Sequence, residues 1–343
     1  MIHSILVTQI AVGRLLPSSI AIFTVLLISG CDNELMLEAP GEETVVVYGL
    51  LAAQDTAHYI RVERAFRTQG ADAAELAQQS ASLYFDEVAV ILENQQTGQQ
   101  FPLERVEGAS EGYPREDGPF AQVPNYLYKI ANETINLRGG TPVRLLVDRG
   151  ETFPLTTATT TILEPLEVSL NSPFSPVNMA YDRQVRFAWG HGPAAGLFQV
   201  RLRIQIREEV TPGDWEDRTL YWVLDEALLP EESSNRSSVT VLGEQFYRFL
   251  ANTLEEETGV RRQFMGMALE VVAGGRELAQ ARQLAQANTG LTAAQFIPEY
   301  TNIKGGLGVF SSRAQLQRTG LQLTGPSLDS LRNGRYTQHL NFQ

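Results

Sequence analysis

Val200-Arg201-Leu202-Arg203-Ile204-Gln205-Ile206-Arg207 alternates without a break, with aliphatic side chains at the even positions and three arginines and a glutamine at the odd ones. A repeat of two is that of a pleated strand, whose successive side chains point to opposite faces. One apolar and one charged face describe a long strand with a core on one side and water on the other. Thr211-Pro212-Gly213-Asp214 then offers turn chemistry, and Leu220-Tyr221-Trp222-Val223-Leu224 supplies a partner, so a hairpin is predicted.

The same alternation spreads outward from this hairpin. Downstream, Met265, Met267, Leu269 and Val271 mark another strand. Glu244 to Leu254, with Phe246, Phe249 and Leu250 on one face, and the Ala- and Gln-rich stretch Glu277 to Ala287 read as helices. Upstream, Val185, Phe187 and Trp189 alternate with Arg186 and Ala188, which puts two aromatics on one buried face. Glu164-Pro165 bounds this block on its N-terminal side, where the proline ends the Thr-rich strand before it.

Before that proline the chain carries further strand signals at 45–51, 58–66, 88–92, 101–103, 126–130, 142–147 and 153–161, with one helix-like interruption at 71–82. The fold class expected is mainly β: two antiparallel β-sandwich domains of immunoglobulin or fibronectin III type with a few short helices. Their bounds are 44–163 and 165–343, the second carrying the helical insertions.

The first thirty residues hold one charge, Arg14, and an apolar run from Leu15 to Ile28, too short for a comfortable span and suited to a signal peptide. Leu27-Ile28-Ser29-Gly30-Cys31 resembles the bacterial lipobox. That resemblance implies cleavage before Cys31 and acylation of its sulfur and new amino terminus, with 31–43 as a tether. Cys31 is the chain's one cysteine, so disulfides, thiolate catalysis and cysteine metal sites are not expected. Loss of the leader takes the formal charge from −13 to −14, since Arg14 goes with it. So acidic a body repels phosphate backbones and anionic lipid, which argues against nucleic-acid binding and leaves the lipid as the link to the membrane.

No catalytic constellation is legible. His58, His191 and His339 are scattered, without the helix spacing of a zinc site. No Gly-x-Ser-x-Gly elbow occurs. The acidic pairs Asp86-Glu87, Glu116-Asp117, Glu208-Glu209 and the run Glu255-Glu256-Glu257 are expected in solvated turns. Gly305, Gly306 and Gly308 match no phosphate loop and are expected to make a tight turn into a strand at 307–311. Neither cofactor nor metal is expected, and the chain is read as non-enzymatic. The loop 108–126, rich in Gly and Pro, carries Tyr113, Phe120 and Tyr126, which are candidates for contact with a ligand or partner, against the plainer reading of a small core under the loop.

Asn302, Ile303, Gly306, Gly308 and Phe310 fit an Asn-Ile-x-x-Gly-x-Gly-x-Phe segment, within the longer stretch Phe296 to Ser312. This resembles the close of a family of Bacteroidota cell-envelope lipoproteins of unknown function. Arg64-Ala65-Phe66, Ala74 to Ala77 and Ser82-Leu83-Tyr84 resemble that family's early strand, helix and strand. The resemblance implies an outer-membrane lipoprotein, often encoded near TonB-dependent receptors, and assigns no catalytic residue. Asp55-Thr56-Ala57 and Asp329-Ser330-Leu331 also resemble the Asp-Ser/Thr-apolar glycan acceptor of that phylum, which makes Thr56 and Ser330 candidate O-glycosylation sites. The function expected is a binding or accessory component beside such a receptor, with a structural or adhesive surface lipoprotein as the alternative.

Overall fold

The computed structural model describes residues 43–65, 73–169, 172–173, 175–231, 233–256, 259–287 and 300–343. The leader, Cys31, all of the tether but Glu43, Phe66, Glu257 and the start of the Phe296–Ser312 stretch lie outside them. Residues 42–343 form one compact unit.

Fifteen strands are present among the described residues: β1 (Thr44–Leu51), β2 (Ala57–Ala65), β3 (Ala89–Asn94), β4 (Gln99–Pro102), β5 (Glu104–Glu107), β6 (Tyr126–Ala131), β7 (Pro142–Asp148), β8 (Thr156–Thr161), β9 (Glu167–Val168), β10 (Gln184–Gly190), β11 (Ala195–Thr211), β12 (Asp214–Leu228), β13 (Arg236–Leu242), β14 (Arg261–Gly275) and β15 (Gly306–Leu321). Three helices exceed two turns: α1 (Gly243–Thr253), α2 (Arg276–Ala287) and α3 (Gly325–Asn333). The helix expected over 71–82 is two short turns, Ala73–Ala77 and Ser80–Leu83.

The strand that decides the fold behaves as its alternation requires. Val200, Leu202, Ile204 and Ile206 of β11 are buried, while Arg201 and Arg203 reach the Glu270 carboxylate and Arg207 reaches Asp217 on the other face. β11 turns into β12 through Pro212-Gly213, pairing Thr211 with Asp214.

An eight-stranded sheet runs β12-β11-β14-β15-β1-β2-β6-β5, and sheets β4-β3-β7-β8 and β13-β10-β9 pack against its two ends. The first core lies where Val45, Val47, Ile60, Val62 and Ile130 face Val90, Leu92, Val143, Leu145 and Val147. The second gathers Phe187, Trp189, Phe198, Leu202, Leu269 and Val271 with Phe246, Tyr247 and Leu250 of α1. The architecture is therefore mainly β, two sandwiches with a few short helices. Each fully buried aliphatic or aromatic side chain contributes about 1.5–3 kcal/mol of transfer free energy, so burial on this scale needs no disulfide.

The expected boundary near 164 is crossed by β15. Its first half, Gly306 to Ser312, pairs in parallel with β1, and its second half, Arg313 to Leu321, pairs antiparallel with β14. Ile303 and Phe310 accordingly sit in the first core. The chain returns to its N-terminal sandwich after building most of the C-terminal one, and this is also the one parallel pairing between named strands among the described residues.

The Asn-Ile-x-x-Gly-x-Gly-x-Phe residues all serve this joint. Gly308 has φ +109°, and a Cβ there would overlap the Val47 carbonyl of β1. Phe310 lies across Gly49. The Asn302 amide donates to the Phe310 carbonyl (2.7 Å) while its Oδ1 accepts the Phe310 N–H (2.9 Å), substituting for a neighbouring strand at that residue. Next to it, the buried Ser312 hydroxyl donates to Leu51 O and accepts from Leu163 N, both at 2.9 Å.

Candidate functional site

β1 is apolar on both of its faces. Val45, Val47 and Leu51 fill the core, but Tyr48 and Leu50 point outward and remain 54% and 42% exposed. Large apolar side chains on the open face of a sheet are informative, because a solvated face is ordinarily polar. Beside them stand Val309 of β15, Tyr59 and Arg61 of β2, and Leu127 of β6. Leu278 of α2 and Tyr113 of the 108–125 loop wall the ends, making an open groove of about 400 Å³ across the outer face of four strands.

The loop is strapped to the sheet by charge. Glu111 accepts from the Tyr59 hydroxyl (2.8 Å) and from Lys129 Nζ (2.6 Å). These bonds, Lys129 first and Tyr59 second, hold the Glu111 carboxyl below the usual range. Burial, then the bond to Glu111, pushes the Tyr59 phenol up, so it stays protonated and donates. Arg115 pairs with Glu63, and the Asn125 amide donates to Tyr113 O (2.7 Å). Tyr113 is thereby laid against Tyr59, ring centroids 4.8 Å apart and planes inclined by 55°, and the residue remains 53% exposed.

The three aromatic candidates of the loop are not brought together. Tyr113 walls the groove. Phe120 is exposed under the Arg115 guanidinium (5.4 Å) and lines no part of it. Tyr126 packs edge-on to Tyr84 (5.0 Å) in a small core with Leu83 and Ala121, covered by Arg105 (4.5 Å). The groove residues that sequence reasoning passed over, Tyr48, Leu50 and Tyr59, carried a signal. A strand with no polar phase, as in 45–51, has either both faces covered or one face for a ligand.

Thr56 is exposed in the bend between β1 and β2, next to Asp55, whose carboxylate binds Arg313 in bidentate fashion (2.9 and 2.7 Å). Ser330 lies on α3, half-buried, its hydroxyl donating to Pro326 O (3.0 Å). Cys31 lies outside the described residues.

The histidines do not converge. His58 is buried with Nε2 on Asn132 Oδ1 (3.0 Å), and its burial pulls its pKa below the ordinary 6.5. His191 is held by Gly192 O and the Ser237 hydroxyl, and His339 sits in an exposed turn near the C-terminus. Among the described residues no cluster of three His, Cys, Asp or Glu side chains could hold a metal ion.

One acidic pair departs from expectation. Glu208 and Glu209 are not in a turn: they lie in β11, where Glu209 is buried against Arg261 and Glu208 meets Arg262 (2.7 Å) and Arg218 (3.2 Å). Burial works to raise the Glu208 carboxyl, and the two guanidiniums overcome it, leaving it below the usual range. Arg262 is itself buried and donates to Leu340 O (2.9 Å) and Glu255 O (3.1 Å), fixing the C-terminal segment. Arg261 and Arg262 belong to β14, more than fifty residues on, a partnership that sequence spacing does not reveal.

No family model and no curated protein matches the chain. Among solved structures, the C-terminal globular domain of an oligosaccharyltransferase from Pyrococcus abyssi is similar over 82% of this chain, at 8% identity and a TM-score of 0.26. The chain spans half the length of that structure. DIP-gamma IG1+IG2 is similar over 78% of this chain and 97% of its own, at 9% identity and a TM-score of 0.17.

Proposed function

We propose that the protein is a non-enzymatic, lipid-anchored cell-envelope component of the outer membrane that binds a partner or its cargo through the groove on the outer face of β15-β1-β2-β6. The observation that carries this reading is the open apolar face formed by Tyr48, Leu50 and Tyr113, kept uncovered on a rigid sheet. A scaffold normally hides such area, and exposed aromatic surface on a rigid support is the usual substance of a contact site. The lipobox-like Leu27 to Cys31 supports the anchor, and the acidic body supports attachment by lipid rather than by surface charge. A TonB-dependent receptor is the partner that the family resemblance suggests.

The test is affinity purification from native membranes with wild-type protein, Cys31→Ala and the double variant Tyr48→Ala/Tyr113→Ala. Cys31→Ala is expected to leave the membrane fraction. The double variant is expected to stay in the membrane and lose a stoichiometric β-barrel partner that the wild type retains. Retention of that partner by the double variant sinks the groove as the contact site.

A further inference from the structure

We infer that the occupant of the groove is a neutral oligosaccharide, a step that rests on the groove being the contact site. The lining charges are already spent. Asp55 holds Arg313 through two bonds, and Arg61 is paired with Glu63 at 3.0 Å. Glu63 also serves Arg115, so Arg61 shares its carboxylate, yet each cation lining the groove already has one within reach and an acidic ligand would compete with an existing ion pair.

The backbone is spent as well. β1, which carries Tyr48 and Leu50, is held by β15 from Val45 to Leu51 and by β2 from Thr44 to Gly49, so the strand at the centre of the groove offers no free row of N–H and C=O groups. An extended peptide therefore cannot bind here by adding a strand, the mode that draws its affinity from main-chain bonds. The space is also an open trough with hydroxyls and ion pairs along it, unlike the dry enclosure an acyl chain needs.

A sugar ring suits what remains. Its C–H face matches the exposed rings of Tyr48 and Tyr113, which bury area at little entropic cost. Its equatorial hydroxyls match groups that both donate and accept while staying paired. The Asp55 carboxylate keeps free lone pairs, the Arg313 and Arg61 guanidiniums keep free N–H groups, and the Tyr48 hydroxyl is free to turn. The groove volume, about 400 Å³, falls within the roughly 300–1,000 Å³ of small-ligand sites.

Calorimetric titration of the full mature chain with Cys31→Ser tests this, the probes being cellohexaose, maltohexaose, xylohexaose and mannohexaose, with oligogalacturonate as the acidic control. At least one neutral hexaose is expected to bind with one-to-one stoichiometry, and oligogalacturonate to bind no more tightly. Tyr48→Ala and Tyr113→Ala, each checked for an unchanged melting temperature, are expected to weaken it about tenfold or more. Failure of all four neutral probes to saturate the protein overturns the inference, as does wild-type affinity in both variants. If no sugar binds yet the double variant loses its membrane partner, the saccharide assignment falls and the groove reading stands. If the partner too is unaffected, both fall.

Discussion

Replacing Gly308 by alanine should damage both sandwiches, although the residue touches only one. The position has φ +109°, a conformation that costs an alanine about 1–3 kcal/mol. The added Cβ also overlaps the Val47 carbonyl and lies 2.9 and 3.0 Å from Val47 C and N, which are backbone atoms with no rotamer to escape into. β15 must therefore draw back from β1, and the loss of about two inter-strand bonds adds about 1–3 kcal/mol. The total expected is about 2–6 kcal/mol. Gly320, on the same strand, is the control. Its φ of +74° is also positive, but nothing lies within 4 Å of its Cβ position, so Gly320→Ala should cost about 1–2 kcal/mol. Urea unfolding reads both substitutions, and the tryptophans localise the effect. Trp189, Trp215 and Trp222 all belong to the C-terminal half, so their fluorescence reports the second sandwich while far-UV circular dichroism reports both. With β15 shared, the two transitions should shift together in Gly308→Ala. An unmoved tryptophan transition, or a Gly308→Ala no worse than Gly320→Ala, would refute the reasoning.

Three further outcomes are expected. Arg262→Leu leaves Glu208 half-buried without its inner partner and strands the carbonyls of Leu340 and Glu255, so it should cost about 3–5 kcal/mol and expose the C-terminal segment to carboxypeptidase; a loss under about 1 kcal/mol would show that the cluster relaxes freely. Burial holds His58 below 6.5, so the unfolded chain binds more protons than the folded one. Its stabilising contribution is complete above 6.5 and lost as pH falls through the lower folded pKa; denaturation midpoints from pH 7.5 to 5 should decline, and His58→Gln should flatten that decline. Finally, β12 is a fifteen-residue edge, and antiparallel pairing of two copies about Tyr221 would oppose Glu216 to Glu226 and Asp217 to Asp225. Glu216→Lys with Asp217→Lys turns those repulsions into attractions and should produce dimers in size-exclusion chromatography; an elution volume identical to wild type would count against charge as the guard of this edge.

How much of this was legible depended on how local the signal was. The β11–β12 hairpin, α1 and α2 were readable because period and turn chemistry sit within one stretch of chain, and Trp189 fell on a core face as its alternation with Phe187 required. β15 was readable only at its start. Gly306 and Gly308 announced a turn, yet their conformational freedom serves a close parallel approach to β1, some 260 residues away in sequence, which no local pattern encodes. A separation of more than fifty residues likewise hid the Glu208–Arg262 cluster, so two carboxylates that look solvated in sequence are half-buried or buried in the fold. In the groove, Tyr113 was singled out from its loop, while Tyr48 and Leu50 were absorbed into a generic apolar strand. What made them unusual is that no second sheet covers their side among the described residues, a property that no local pattern encodes.

The placement of β1 also has a mechanical side. If Cys31 carries the proposed lipid anchor, the chain from it enters the described fold at this strand, and a pull along the strand axis would load β1 before any other described element. β1 is held by β2 through six registered pairs and by β15 through seven. Along that axis the ladder bonds are sheared together and cannot be broken in succession, which is the arrangement that best resists a sudden load. The groove lies on the same strand, so a tug between cargo bound as proposed and a membrane anchor would run through β1.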